Sequence, residues 1–362
     1  MQPTPLASGP QAAHVPVQGQ GAALSSPASL RVHPRDVLLG AQAQTGFLPV
    51  CDHYSGVEAR MRKSLQLQAE MMQELGTCVF DVTLDCEDGA PVGFESDHAR
   101  LVASLALAAN PLARVAARVH AVDHPSFVND IATIAGEAGH RLCHIMVPKV
   151  ESVDDVLRVE RALAQSCSTR VPLHVLIESP AAVHRAFEIA AHPLVQSLSF
   201  GLMDFVSAHG GAIPAYGMTS GGQFAHPLVV RAKLEIAAAC HANGKVPSHC
   251  VVTEFTDASA MLGAARRAAL ELGYTRMWSI HPAQIRPILE AFAPQQDDIE
   301  MAGKIIVAAD QADWAPIRFE GALHDRASYR FYWQVLERAH STGRALPLSV
   351  RAWFGATASV PS

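Results

Sequence analysis

For its length the chain has few charges and few aromatic rings, at 17% and 6% of 362 residues. No apolar run approaches the roughly 20 residues that span a bilayer, so no membrane partner is expected. Nor does any basic run with interleaved aromatics occur. With a formal net charge of -6, nucleic acid is not an expected partner either. No Gly-x-Gly-x-x-Gly follows an early strand-like segment, which argues against an open doubly wound sheet. The seven cysteines (Cys51, Cys78, Cys86, Cys143, Cys167, Cys240, Cys250) include no Cys-x-x-Cys pair and no zinc spacing. They read as free thiols of a cytoplasmic protein. A charged segment followed by an apolar core is missing at the N-terminus, so no secretory signal is expected.

What the sequence does have begins after a tail. Residues Met1 to about Ser29 mix Pro, Gln, Gly, Ala and Ser without periodicity and are expected to be flexible. From there to residue 294 short apolar runs alternate with longer amphipathic stretches, the pattern of βα units feeding a parallel sheet. Eight strands are expected: Gly46–Val50, Val79–Asp85, Arg114–Val119, Cys143–Val147, Leu173–Ile177, Ser197–Gly201, Lys245–Cys250 and Met277–Ile280. Helical patterns lie between them, over Val57–Glu74, Ser152–Ala164, Pro180–Ala191, Leu228–Asn243, Asp257–Gly273 and Pro282–Phe292. Ser179-Pro180 is a helix start and Gly273 a helix stop. Eight strands in about 250 residues match a (β/α)₈ TIM barrel. Residues 295–362 form an expected helical extension, with a helix over Asp298–Asp310 and then Tyr329, Phe331, Tyr332, Trp333 and Trp353. Those aromatics need a surface to cover, on the barrel or on a neighbouring subunit.

In such a barrel the chemistry lies at the C-terminal ends of the strands. Here those ends are crowded with functional side chains. Strand two ends in Asp85, Glu87 and Asp88, three carboxylates within four residues. Strand three carries Arg118 and His120, strand four ends at Lys149, strand five at Glu178, strand six at Asp204, strand seven holds His249, and strand eight ends at His281. Taken singly, each has a structural explanation: a carboxylate can cap a helix, Lys149 can pair with a strand-two carboxylate, and His281 beside Pro282 reads as a loop anchor. Taken together they converge. Glu178 and Asp204 bring two carboxylates to one rim, as a hard divalent cation such as Mg²⁺ requires, with positions left open for a bidentate keto acid. Arg118 can grip a substrate carboxylate with its planar fork.

The runs Phe80-Asp-Val-Thr-Leu-Asp-Cys-Glu-Asp-Gly-Ala, Val147-Pro-Lys-Val-Glu-Ser, Leu176-Ile-Glu-Ser-Pro, Phe200-Gly-Leu-Met-Asp-Phe and Trp278-Ser-Ile-His-Pro-Ala-Gln-Ile resemble, in order and spacing, the motif series of the HpcH/HpaI aldolase / citrate lyase beta-subunit superfamily. The resemblance implies a TIM barrel in which Glu178 and Asp204 ligate Mg²⁺ and Arg118 holds a keto-acid carboxylate. It implies that Asp85, Glu87 and Asp88 line the site, and that backbone N–H groups around Gly201, Leu202 and Met203 help to bind the substrate. It also implies a homo-oligomer, a trimer or hexamer, whose C-terminal segments reach a neighbour's site. In two places this chain departs from the pattern. Ser96 stands where citrate-lyase-like members have Lys, and His249 stands where malyl-CoA lyases have an acid/base Asp.

The expected activity is therefore Mg²⁺-dependent retro-aldol or retro-Claisen cleavage of a hydroxyacyl-CoA thioester or related hydroxy acid. The products are a 2-keto acid or aldehyde and an enolate-derived partner. His249 is read either as the acid/base group or as a histidine bonded within the rim. The alternatives are a CoA-independent aldolase releasing pyruvate from a 2-keto-4-hydroxy acid and a non-catalytic keto-acid-binding barrel. Arg231, Lys233, Arg266 and Arg267 are scattered candidates for CoA phosphates.

Overall fold

A computed structural model describes residues 32–40 and 47–355. The expected tail and Gly46 lie outside the described residues. Eight parallel strands close into a barrel in sequential order: β1 (Cys51–Ser55), β2 (Phe80–Asp85), β3 (Val115–Arg118), β4 (Leu142–Val147), β5 (Leu173–Ile177), β6 (Val195–Phe200), β7 (Val246–His249) and β8 (Arg276–Ser279). Pairing of β1 with β8 completes the ring. β2, β3 and β5 are buried along their whole length. That is expected of strands covered by helices outside and by barrel side chains inside, so even the polar residues that alternate along β2 (Asp81, Thr83, Asp85) are buried. Among the described residues no helix is long and apolar enough to cross a membrane.

One strand differs from expectation. The apolar run before Cys51 resembles a strand, but β1 starts where that run ends. Pro49 has no N–H to give a sheet, and its carbonyl instead accepts from Arg276 Nη1 at 2.6 Å. The true strand reads Cys-Asp-His-Tyr-Ser, and its polar side chains, Asp52 and His53 on opposite faces, find partners on other strands. Asp52 meets Arg276 at 2.9 Å and accepts from Thr83 Oγ1 at 2.6 Å, and His53 Nδ1 lies 2.9 Å from Ser279 Oγ.

The C-terminal residues build a second core. Helices Gln296–Gln311 and Arg326–Ser341 pack together and onto helix Pro34–Leu39 around Ile305, Ile306, Tyr329, Trp333, Leu336 and Leu38. The segment preceding the barrel thus shares a core with the segment following it, and Arg35 pairs with Glu337 at 2.6 Å. This unit meets the barrel at the N-terminal end of β2, where His340 lies 3.4 Å from Thr77 and Gly343 packs on Leu75. It lies at the opposite end of its own barrel from the rim that carries the functional residues.

Candidate active site

Register across the sheet sets the rim. Asp85, the last residue of β2, is paired with Arg118, the last of β3. Arg118 Nε and Nη2 donate to the two Asp85 oxygens at 2.7 and 2.5 Å, and Nη1 lies 3.0 Å from Glu87. Burial works against ionising Asp85, but the guanidinium more than offsets it and holds the carboxyl below its usual range. Asp85 also accepts from the N–H groups of Glu87 and Gly89, both at 2.9 Å. A Cβ on Gly89 would come within 2.4 Å of Asp85 Oδ2. Asp85 is therefore saturated. It anchors the loop and orients Arg118, and it is not free to hold substrate as the sequence reading expected.

Two of the five guanidinium N–H groups donate to Asp85, and Nη1 faces the Glu87 carboxylate as an ion pair. The edge between the two terminal nitrogens, which Asp85 does not occupy, is the edge that a substrate carboxylate can use. Glu87 bridges Arg118 to Lys149, whose Nζ lies 2.5 Å from Glu87 Oε1 and 3.9 Å from the exposed Asp88. Lys149 has φ +53°. This left-handed conformation costs a non-glycine residue about 1–2 kcal/mol, so the surrounding contacts hold the strain at the rim.

Glu178 follows β5 and is buried, while Asp204 lies exposed in the first turn of helix Leu202–Ser207 after β6. Neither carboxylate has a hydrogen-bond or ion-pair partner among the described residues. Burial, then the neighbouring Asp204 and Glu87 charges, push the Glu178 carboxyl up to about 8. Two adjacent unneutralised carboxylates, one of them buried, suit a divalent cation. Leu202 and Met203 open the short helix with N–H groups that have no preceding carbonyl to meet, but the Gly201 N–H already donates to Ile177 at 3.0 Å. Beneath the rim Tyr54 stacks on Trp278, ring centroids 4.5 Å apart, and Arg118 lies 5.5 Å from the Tyr54 centroid. With Met146 and Leu176 they floor the site.

His249 is not among these residues. It is fully buried, its ring lies parallel to Phe224 at 5.3 Å and edge-on to Tyr274 at 5.0 Å, and its Nδ1 is 3.1 Å from its neighbour's carbonyl. Burial, then the nearby Lys233, keep its pKa well below the ordinary value. The acid/base expectation for His249 is corrected: the side chain at the end of β7 faces the helical layer. Another acidic group, Asp52 with His144 and His174, has ligand atoms within 4.8 Å of one another in the lower half of the barrel. Arg276 is already 2.9 Å from Asp52 and 2.6 Å from Asp81. That layer is an ion-paired interior.

Residues 65–282 match the model of the HpcH/HpaI aldolase/citrate lyase family. The chain belongs to this family. The L-malyl-CoA/beta-methylmalyl-CoA lyase of Cereibacter sphaeroides is 33% identical over 273 residues, 69% of this chain and 84% of that protein. A citrate lyase structure from Burkholderia xenovorans LB400 is 49% identical, with a TM-score of 0.71 over 90% of this chain and 99% of that one. The Mycobacterium tuberculosis protein CitE, solved with magnesium, acetoacetate and coenzyme A, is 20% identical, with a TM-score of 0.58 over 81% of this chain and 98% of its own, and shares the fold. With its lyase relatives, this member of the HpcH/HpaI family is a carbon–carbon lyase.

Tyr54 is not legible in the sequence of this family member, because the apolar run before Cys51 imitates the first strand, and neither is the strained backbone of Lys149, which no pattern reveals. Gly201 was found for a different reason from the one its geometry supplies. A Cβ there would lie 2.5 Å from Glu178 Cγ. Gly201→Ala is therefore expected to push Glu178 aside, lowering kcat by about 10- to 100-fold and weakening Mg²⁺ binding with it. Wild-type kcat and metal affinity in this variant would show that the close approach is unimportant.

Proposed function

We propose that the chain is a Mg²⁺-dependent lyase that cleaves a hydroxyacyl-CoA thioester to a 2-keto acid or aldehyde and an enolate-derived acyl product. The observation that carries this reading is the pair Glu178 and Asp204, two neighbouring rim carboxylates with no hydrogen-bond or ion-pair partner among the described residues. Glu178 and Asp204 would hold the metal. Bound there, Mg²⁺ supplies Lewis-acid polarisation of the substrate's 2-oxygen. Arg118 orients the carboxylate through its open N–H edge, held in place by Asp85 and Glu87. Lys149 fixes Glu87, and the Tyr54–Trp278 floor keeps water from below. The thioester part of the proposal is supported by the names of the relatives, the malyl-CoA lyases of Cereibacter sphaeroides and Chloroflexus aurantiacus, and by the ligands of the Mycobacterium tuberculosis protein.

The test is a panel of hydroxyacyl-CoA thioesters set against free 4-hydroxy-2-keto acids. Turnover of thioesters alone is expected. Turnover confined to the free acids would replace the proposal with a pyruvate-releasing aldolase. Binding of oxalate and Mg²⁺ without turnover on either arm would make the barrel a binding protein.

A linkage follows for the metal. In the metal-free protein Glu178 titrates at about 8. Below that pH the cation must displace a proton, so Mg²⁺ affinity is expected to rise about tenfold per pH unit towards 8 and then level off. Calorimetry in two buffers of different ionisation enthalpy counts the released proton. A pH-independent affinity would argue against Glu178 as a ligand.

A further inference from the structure

With His249 turned into the helical layer, the proton that an enolate product needs must come from another group. A cleft of about 480 Å³ opens at the rim, and Glu87, Lys149, His120, His124 and Glu95 line it. Glu87 and Lys149, on the wall of this cleft, are among the side chains whose charges act on Glu178, and Glu87 is ion-paired with Arg118 at 3.0 Å, so the cleft borders the rim site. We propose that His120, held by Asp130, is the acid/base group that exchanges the proton at the acyl product's α-carbon. This inference rests on the lyase reading above.

The geometry is specific. His120 stands two residues beyond Arg118, and its side chain is 10% exposed. Its backbone N–H and its Nδ1 both meet Asp130 Oδ2, at 3.0 and 2.6 Å. Asp130 is fully buried, and its other oxygen has no hydrogen-bond partner. One carboxylate thus fixes ring and tautomer together, and Nε2 has no partner among the described residues. His124 stacks on the ring at 4.1 Å and 11°. Directly after Asp130 the helix opens into a π-turn over Ile131–Ala135, a feature that recurs at functional sites. The charged groups facing the imidazole are Asp130, Glu87 and Glu95, with Asp88, Lys149 and His124 along the same cleft. The bond to Asp130 leads in raising its pKa, against the effect of burial, which keeps the acid form available near neutral pH.

In cleavage the hydroxyl proton leaves, in net terms, to solvent. The C–C bonding pair becomes the π pair of the enolate, and the Nε2 proton moves to the enolate carbon. Neutral imidazole is then reprotonated by water. Condensation runs the same transfer backwards.

Two arms test this. In the first, wild type, His120→Gln and Asp130→Asn are assayed with the thioester panel. His120→Gln is expected to lose about 10²- to 10⁴-fold in kcat while its Mg²⁺ affinity stays within twofold. Asp130→Asn is expected to lose about tenfold and to move the basic limb of the cleavage pH profile to lower pH, because the imidazolium loses its counter-charge. The second arm follows the His120 NMR signal as Mg²⁺ and oxalate are added, and a shift is expected. A His120→Gln kcat within threefold of wild type, or a signal that does not move, overturns the inference. If wild type turns nothing over, the lyase reading fails, and the NMR arm alone decides whether His120 belongs to the site.

Discussion

Glu178→Ala is expected to abolish Mg²⁺-dependent turnover, with kcat at least about 10³-fold lower and no Mg²⁺ binding by calorimetry. A metal's polarisation of a carbonyl contributes several kcal/mol to the transition state, and each 1.4 kcal/mol is a factor of ten. Asp204 alone cannot hold the cation, because it is exposed and brings a single carboxylate. The same residue makes a second, opposite prediction for stability. In the metal-free fold the Glu178 carboxyl is pushed up to about 8, well above its unfolded value. A group of this kind takes up a proton on folding, so metal-free stability declines as pH rises from about 4.5 to 8. Glu178→Gln removes that dependence. The metal-free variant is expected to melt several degrees above metal-free wild type at pH 8 and to match it at pH 4.5. Equal melting temperatures at both pH values would show that the buried carboxylate is not strained.

Arg118→Lys is expected to lower kcat/KM by about 10²- to 10³-fold, although it preserves the charge. The reason is the number and plane of its N–H groups. Arg118 already donates two of them to Asp85 while its Nη1 ion-pairs with Glu87, and an ammonium has only three protons on one atom. A lysine could meet Asp85 or the substrate carboxylate, not both. Arg118→Ala should also destabilise the fold by about 3–5 kcal/mol, because it leaves Asp85 buried without its partner. Steady-state kinetics and thermal melts on the two variants separate these effects: the lysine variant should lose mainly activity, the alanine variant both. Normal kcat/KM in Arg118→Lys would remove Arg118 from substrate binding.

The rim is legible where a carboxylate or lysine follows a largely buried strand. β5 shows itself by a mostly apolar run and β2 by alternation, and the polar residue that follows such a strand then points to the mouth of the barrel. Glu178, Asp204, Glu87 and Lys149 were found in this way. Other features depend on partners far away in sequence. β1 is polar because Arg276, Thr83 and Ser279 complement it from other strands, and no local pattern carries that information. Whether His249 faces the mouth or the helices turns on one residue of register, and a short strand with a proline in it does not declare its register. The pairing of Asp85 with Arg118 could have been suspected, since both end adjacent strands. Asp130 could not, because it sits in a helix whose π-turn has no sequence signature here.

The most direct test of the central claim is cleavage by wild-type protein stripped with EDTA and then resupplied with Mg²⁺. The prediction is no thioester cleavage after stripping and full return on adding Mg²⁺, with no return in Glu178→Ala. Cleavage that survives stripping, or that Mg²⁺ restores equally in Glu178→Ala, would contradict a lyase built on the Glu178–Asp204 pair.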